Sequence, residues 1–529
     1  MRLPRMRHSG GWRKAVQMQF GGYKHLPSAG EGEIYDMENL SSDLAPLLAT
    51  RKPRKAVRAI PGGSIGGHDK LYWVEGTTFY YDGESKGQVA AGEKQFAGMG
   101  QRIIIWPDKL VYHTGDGKLE KLEASVSGTG VKFDNGELFG EKAECNSVVC
   151  AGVDFKAHFS AGDAVEITGC TKHPENNKTP IIREISEDGH TLRFYEYVFT
   201  LEGTTEKPVG YTEPGTITFA RKVPDMDFIC VNENRLWGCK GDTVYASKLG
   251  DPKNFNVFDG VDTDAFWVEA GSAGSFTGCV SFLGYPMFFK ENSIHKMYGD
   301  LPSNFQLMAS AVLGVQAGEA KSLAIAGETL YYLSTAGIMA YTGGIPACIG
   351  GDLGEGDFHG AVAGSDGLKY YVSMHDGQRQ NLFVWDTRRR MWHREDDTAA
   401  RGFARVGGDL YLLAQDGQLM QLGAGEEVFP WAVEFGDFTE GSPDAKGYGK
   451  LQLRMELEAG STAKAEIRYD SRGPWQTVGQ MESDVKRTWL LPIIPRRADH
   501  YRIRITGRGG AVLYSLARQM YGGSETRTF

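Results

Sequence analysis

The chain has 529 residues, 41% hydrophobic and 24% charged, which is more than one hydrophobic core holds and excludes wholesale disorder. Its formal net charge of −9 argues against a dedicated nucleic-acid-binding surface, and no run approaches the roughly 18 apolar residues of a membrane-spanning helix. Glycine is the outlier: 70 residues, about twice ordinary usage and without a collagen period, as expected for many tight turns between short strands.

In chain order, residues 1–60 read as an extended N-terminal arm. Apolar groups are scattered, glycine pairs interrupt at Gly10-Gly11 and Gly21-Gly22, and the stretch cannot bury a core of its own. Arg2, Arg5, Arg7, Arg13 and Lys14 make its start basic, and no apolar core follows them as in a secretory signal. From residue 61 a local pattern recurs: an apolar or aromatic run, a short turn, a second run, then Gly or Asp. Its copies are 70–74 with 79–81, 103–106 with 110–112, 235–237 with 244–246, 287–289 with 294–297, 330–332 with 338–341, 370–372 with 382–385, and 410–412 with 419–421. The later copies lie roughly 40 to 50 residues apart, the period of four-stranded propeller blades. Seven copies predict a β-propeller of about seven blades, in two parts at 61–124 and 223–428. Surplus length between Tyr112 and Leu236 predicts a small inserted β-barrel domain over 125–222, with strand-like runs at 164–167, 181–185, 191–195 and 216–219. Strict alternation at 451–457 and 501–505 predicts a C-terminal β-sandwich over 429–529. The fold class is all-β.

Catalytic and metal signals are weak. Asp259, Asp262 and Asp264 lack the spacing of a calcium loop, and the acidic run Glu395-Asp396-Asp397 reads as a solvated loop. His113, His295, His359, His375 and His393 are taken to lie in separate repeats, with no metal-ligand spacing. The segment Tyr469-Asp470-Ser471-Arg472-Gly473-Pro474-Trp475 is only superficially like an Asp box and reads as a turn followed by a packing Trp. Seven cysteines without a CxxC pair read as reduced, buried thiols. The expectation is no cofactor, no metal and no enzymatic activity. Asp264, Glu291, Glu395 and Asp396 are the acids to watch if a sugar bond were cleaved.

Other distinctive segments look architectural. The Gly250-Asp251-Pro252-Lys253-Asn254-Phe255 loop and the Gly299-Asp300-Leu301-Pro302-Ser303-Asn304-Phe305 loop each predict a turn whose aromatic plugs the next layer. Together with Asn234-Arg235-Leu236-Trp237 and Val244-Tyr245-Ala246-Ser247, the first of these resembles the blade of phage tail proteins of the nozzle type. That family includes the packaged-DNA stabilisation protein and the tail tubular protein B of short-tailed phages. Phe20-Gly21-Gly22-Tyr23, Glu38-Asn39-Leu40 and 46–51 resemble an arm that such proteins lay against a neighbour.

The resemblance implies a structural protein of the virion, assembled in the host cytoplasm. It implies a sixfold ring around the DNA exit channel, below the portal and adaptor, with fibre or adaptor proteins as partners and transient, non-specific passage of DNA. Phe20, Asn39, Arg51, Asn234, Arg235, Asp251 and Phe255 are the assembly residues it points to. The alternative is a host-surface carbohydrate-binding or carbohydrate-cleaving tail protein.

Overall fold

The computed structural model describes residues 13–138, 141–195, 198–204, 207–442, 444–482 and 484–522. Arg2, Arg5 and Arg7 of the basic start lie outside them. Regular structure among the described residues is strand or short 3-10 turn, so the chain is all-β. Among the described residues, seven four-stranded sheets recur in chain order. The first takes Ser64–Gly67, Leu71–Glu75, Thr78–Tyr81 and Glu84–Gln88. By internal contacts the chain divides into a mid-chain unit (77–80 and 84–317) and a terminal unit (1–76, 81–83 and 318–529).

The mid-chain unit holds three of the sheets. One runs Gln95–Met99, Arg102–Trp106, Leu110–His113, Leu119–Lys121; the next Phe228–Asn232, Arg235–Lys240, Thr243–Ala246, Phe266–Glu269; the third Gly278–Phe282, Tyr285–Lys290, Ser293–Tyr298, Gln306–Ser310. Each is an antiparallel meander. Their second strands read RIIIW, RLWGCK and YPMFFK, near-continuous apolar runs with both faces covered, as in inner strands. Glu233 and Asn234 both have positive φ (47° and 55°), the two-residue hairpin geometry that matches strand twist, and Asn232 pairs with Arg235 across it.

Within this unit, residues 124–221 form sheets of their own. Ala124–Thr129, Thr216–Arg221 and Glu166–Thr168 make one sheet; Glu184–Ile185, Thr191–Arg193, Glu141–Val149, Lys132–Leu138 and Tyr211–Thr212 make another. They share a separate core of Phe133, Val148, Phe155, Val165, Ile167, Leu192, Phe194 and Phe219. Phe133 meets Phe199 edge-on at 5.0 Å and stacks on Tyr211 at 5.4 Å, contacts that add specificity to the area buried.

The terminal unit holds the remaining three four-stranded sheets. They are Ala324–Ala326 to Ala347–Cys348, His359–Ser365 to Met391–Arg394, and Ala400–Val406, Asp409–Ala414, Gln418–Leu422 with Arg54–Ala59 as fourth strand. Two larger sheets share one buried cluster. The first orders Leu40–Ser41, Leu48–Thr50, Ala511–Gly522, Lys446–Leu457, Arg487–Ala498; the second orders Ile34–Glu38, Pro430–Phe435, Tyr501–Arg508, Thr462–Tyr469, Gln476–Glu482. Leu451, Leu453, Met455 and Leu457 point inward while Arg454 and Glu456 are exposed, the period-two alternation of a half-buried strand.

Three expectations are corrected here. The described part of the N-terminal arm is not left free as an extended segment. Arg13–Gln17 pairs with Leu516 to Met520, Ile34–Glu38 with Ala432 to Phe435, Leu48–Thr50 with Ala511–Gly522, and Arg54–Ala59 with Gln418–Leu422, all within the chain. A segment without a core of its own has found one by completing other sheets' edges, which would otherwise stand unpaired. The alternating strand at 501–505 also lacks a simple wet face: Arg502 is buried, bonded to Asp437 (2.6 Å) and Glu434 (3.1 Å) and covered by the Tyr35 ring of that same arm. Finally, not every thiol is buried: Cys348 is exposed and Cys279 half-buried.

Candidate functional site

The residues singled out in the blade motif converge on one joint in the mid-chain unit. Arg235, 3% exposed, aims its guanidinium at backbone carbonyls: Nη1 donates to Ser247 (2.9 Å) and Asp264 (2.5 Å), and Nη2 to Asp262 (2.8 Å). Burial lowers the Arg235 pKa from its ordinary value, with Asp264 and Glu233 acting against it. This planar donor fork staples the crossover loop between Thr243–Ala246 and Phe266–Glu269 onto the hairpin.

Asp251 closes the turn by accepting from the Lys253 amide (3.0 Å) and from Asn254 Nδ2 (2.7 Å). Asn254 Nδ2 also donates to Asp163 Oδ1 (2.9 Å), and its Oδ1 accepts from the Ala164 amide (3.1 Å). Asp163 is in turn bonded by Arg221, so the loop is tied to the inserted sheets. Phe255 packs among Trp106, Val111, Leu122, Val223, Met226 and Leu236.

The second such loop does the same: Phe305 meets Trp237 and Phe266 at 5.2 Å each. Both aromatics therefore plug against the preceding four-stranded sheet rather than the next layer. The crossover to the outer strand turns each loop back over the sheet already passed.

The arm residues form a second joint in the terminal unit. Phe20 is buried against Phe435 (5.8 Å) and donates its amide to Pro46 O (2.9 Å). Asn39, at φ 56°, accepts from Arg51 Nε (2.6 Å), donates to Pro430 O (2.8 Å), and bonds through its amide to Glu395 O. Arg51 reaches Glu427 at 2.8 Å and lies over the Phe429 ring at 4.0 Å. Arg54 holds Glu395 (2.6 Å) and Asp396 (2.9 Å), and Arg51 stands 3.9 Å from each.

The acidic run is thus not wholly solvated: Asp397 is exposed, but Glu395 is buried, Asp396 is partly buried, and both are neutralised by two arginines from the arm. Burial pushes the Asp396 carboxyl up, but Arg54 outweighs it and the pKa falls below its ordinary value. The other watched acids also serve as braces. Asp264 Oδ2 accepts from the Gly260 (2.6 Å) and Val261 (3.2 Å) amides, and Glu291 accepts from the Ala317 amide (3.2 Å).

The histidines are not all apart. His359 and His375 face each other across adjacent strands of one sheet, with rings 5.1 Å apart. Sequence reasoning also passed over two features. An open cleft of about 860 Å³ in the mid-chain unit is lined by Lys121, Lys156, Lys222 and Lys253 with Glu120 and Glu123. Asp470, Asp499 and His500 bring one ligand atom each within 4.8 Å of one another, across a separation that no local spacing signals.

No protein-family profile and no curated protein matches the chain. Solved structures do. BamB from Moraxella catarrhalis is 10% identical at a TM-score of 0.34, covering 72% of this chain and 98% of its own. An exo-β-1,3-galactanase from Phanerochaete chrysosporium is 9% identical at 0.21, covering 55% and 94%. A glycoside hydrolase family 43 arabinoxylan arabinofuranohydrolase from Bacillus subtilis is 9% identical at 0.17, covering 87% and 95%. Two of the three carry the names of polysaccharide-cleaving enzymes, and on that finding the expectation that this chain has no enzymatic activity is withdrawn. The scores are too low to carry any activity over.

Proposed function

We propose that this chain is a structural subunit of a bacteriophage tail, a ring-forming part of the nozzle or tube end that lines or closes the DNA exit channel in the virion. In this reading the seven four-stranded sheets are seven propeller blades, residues 124–221 are a small inserted barrel, and the two larger terminal sheets are a sandwich. The carrying observation is the joint built by the motif that resembles tail-protein blades. Arg235 locks the crossover loop by its carbonyls, and Asn254 fastens that loop to Asp163 and Ala164 of the insertion.

A part that keeps its shape while a genome passes needs insertion and blade to move together, and this joint supplies that. Because the described arm strands pair within the chain, the ring contacts fall to the blade turns and the insertion. The same crossover loop exposes Leu249, Phe258 and Val261, apolar groups suited to meeting a second copy. Rings arise when such a heterologous contact closes.

Light scattering of the purified full chain, alone and with its tail fraction, tests this. The expected result is a mass of six 58.1 kDa copies that Phe258→Asp with Val261→Asp reduces to one. A monomer in both conditions overturns the ring. A second reading, recognition of host-surface carbohydrate, is favoured by Tyr285 and Tyr298, 5.3 Å apart with the Lys296 ammonium over both rings. Glycan-array binding lost in Tyr298→Ala would support it.

A further inference from the structure

The turn that resembles an Asp box contains a hydrogen-bond relay. Thr462–Tyr469 ends at Asp470 and Ser471, both at positive φ (49° and 50°), before Gln476–Glu482 begins. The turn lies against Asp499 and His500, which precede Tyr501–Arg508. Ser471 Oγ is 2.8 Å from His500 Nε2, and His500 Nδ1 is bonded to Asp499 Oδ1. Two bonds from backbone amides fix this register: the Asp499 amide donates to the Asp470 side-chain Oδ1 (3.0 Å), and the Asp470 amide to His500 O (3.1 Å). We infer that Ser471, His500 and Asp499 form a serine-nucleophile triad that hydrolyses esters of small acyl groups.

Each member has the position its role needs. With Nδ1–H directed to the Asp499 carboxylate, Nε2 is left as the acceptor facing the Ser471 hydroxyl, the tautomer of a general base. The left-handed backbone at Ser471 is uncommon for a residue with a side chain, and such conformations collect at functional sites.

Ser471 is exposed, and a Cβ placed on Gly473 would meet nothing within 4 Å, so a substrate has room to approach. Four residues on, the Trp475 ring has the Arg468 and Arg504 guanidinium groups over it at 4.6 and 4.5 Å, a polar and aromatic shelf. These open, polar surroundings suit a small acyl group on a larger polar carrier.

In the reaction, Ser471 Oγ adds to the ester carbonyl while its proton passes to His500 Nε2. The tetrahedral intermediate expels the alcohol, which leaves with that proton, and the acyl group stays on Ser471. Water then adds to the acyl carbon, giving a proton to His500. Release of the carboxylic acid restores the Ser471 hydroxyl with that proton. Asp499 is a positioning residue, acting through His500. The inference does not depend on the tail reading.

The probes are p-nitrophenyl acetate and a fluorophosphonate on the full-length protein. Wild type should hydrolyse the ester, and Ser471→Ala should reduce the rate at least about 100-fold, the low end of what positioned acid–base catalysis provides. The fluorophosphonate should add to Ser471, found by mass spectrometry of the peptide. Asp499→Asn should lower kcat about tenfold or more with KM unchanged. Equal rates in wild type and Ser471→Ala, or a folded wild type that takes no label at Ser471, overturns the triad. So does a rate that Ser471→Ala leaves intact but chelator abolishes and zinc restores, which would make Asp470, Asp499 and His500 a metal centre instead.

Discussion

Replacing Arg54 by Met tests the joint between the arm and the terminal unit. The change keeps most of the side-chain volume but removes the cation that holds Glu395 at 2.6 Å and Asp396 at 2.9 Å; the arginine and both acids are at most 14% exposed. Deleting one partner of a buried ionic group costs about 3–5 kcal/mol, because the charges left behind stay desolvated and here repel one another. Arg51 remains 3.9 Å from both acids and offsets part of this, so the lower end, about 3 kcal/mol, is expected.

Hydrogen exchange along the ladder between Arg54–Ala59 and Gln418–Leu422 reads the loss directly, as roughly a hundredfold faster opening. The pH dependence has a definite sign. Asp396 has a lowered folded pKa, so its contribution is complete above the ordinary aspartate value and is lost as pH falls through the folded value. The gap between wild type and Arg54→Met should therefore narrow below about pH 4. Adding Glu395→Gln and Asp396→Asn to Arg54→Met should recover much of the loss. Exchange within a factor of three of wild type, or no recovery in the triple variant, would refute the charge-burial argument.

Three other outcomes follow from the packing. Phe255→Ala should destabilise the mid-chain unit by about 3–5 kcal/mol in thermal unfolding, while Phe258→Ala, 53% exposed, should stay within about 0.5 kcal/mol. His393 is fully enclosed, and burial, reinforced by Lys369, lowers its pKa to about 3. The unfolded chain takes up that proton near pH 6.5 and the folded chain does not, so His393→Gln should flatten the fall in Tm between about pH 6.5 and 4. Among the described cysteines, Cys348 should react first with a thiol reagent, and Cys348→Ser should remove that fast phase.

Strands that carry their own pattern were legible in the sequence. Arg102–Trp106 announces an inner strand by an unbroken apolar run, and Lys446–Leu457 a half-buried one by alternation. Arg54–Ala59, sequence RKAVRA, was not legible: only its first residue is buried, and its reason for being a strand is a partner some 360 residues later in the chain. The same distance hid the acid clamp, since adjacency of Glu395 and Asp396 is visible but two arginines folding over them are not. The Asn-Phe loops were readable as turns with a plugging aromatic; the direction of the plug depends on the crossover, which local chemistry does not encode. Ser471 and His500 meet only because two hairpin ends of one sheet stand side by side.

The pairing of Arg54–Ala59 with Gln418–Leu422, and of Arg13–Gln17 with Leu516 to Met520, also sets an order of events during synthesis. The early strands emerge from the ribosome first and find no partner until about 360 and 500 residues later. At ribosomal speeds of 5–20 residues per second the shorter wait alone is roughly 20 to 70 seconds. Throughout it, the nascent chain carries open strand edges that any neighbouring chain can occupy. Translation that stops before residue 418 leaves all of these edges permanently unfilled. Messages cut short at the 3′ end should therefore give aggregates rather than a smaller folded protein, and chaperones that shield unpaired strands should govern the yield.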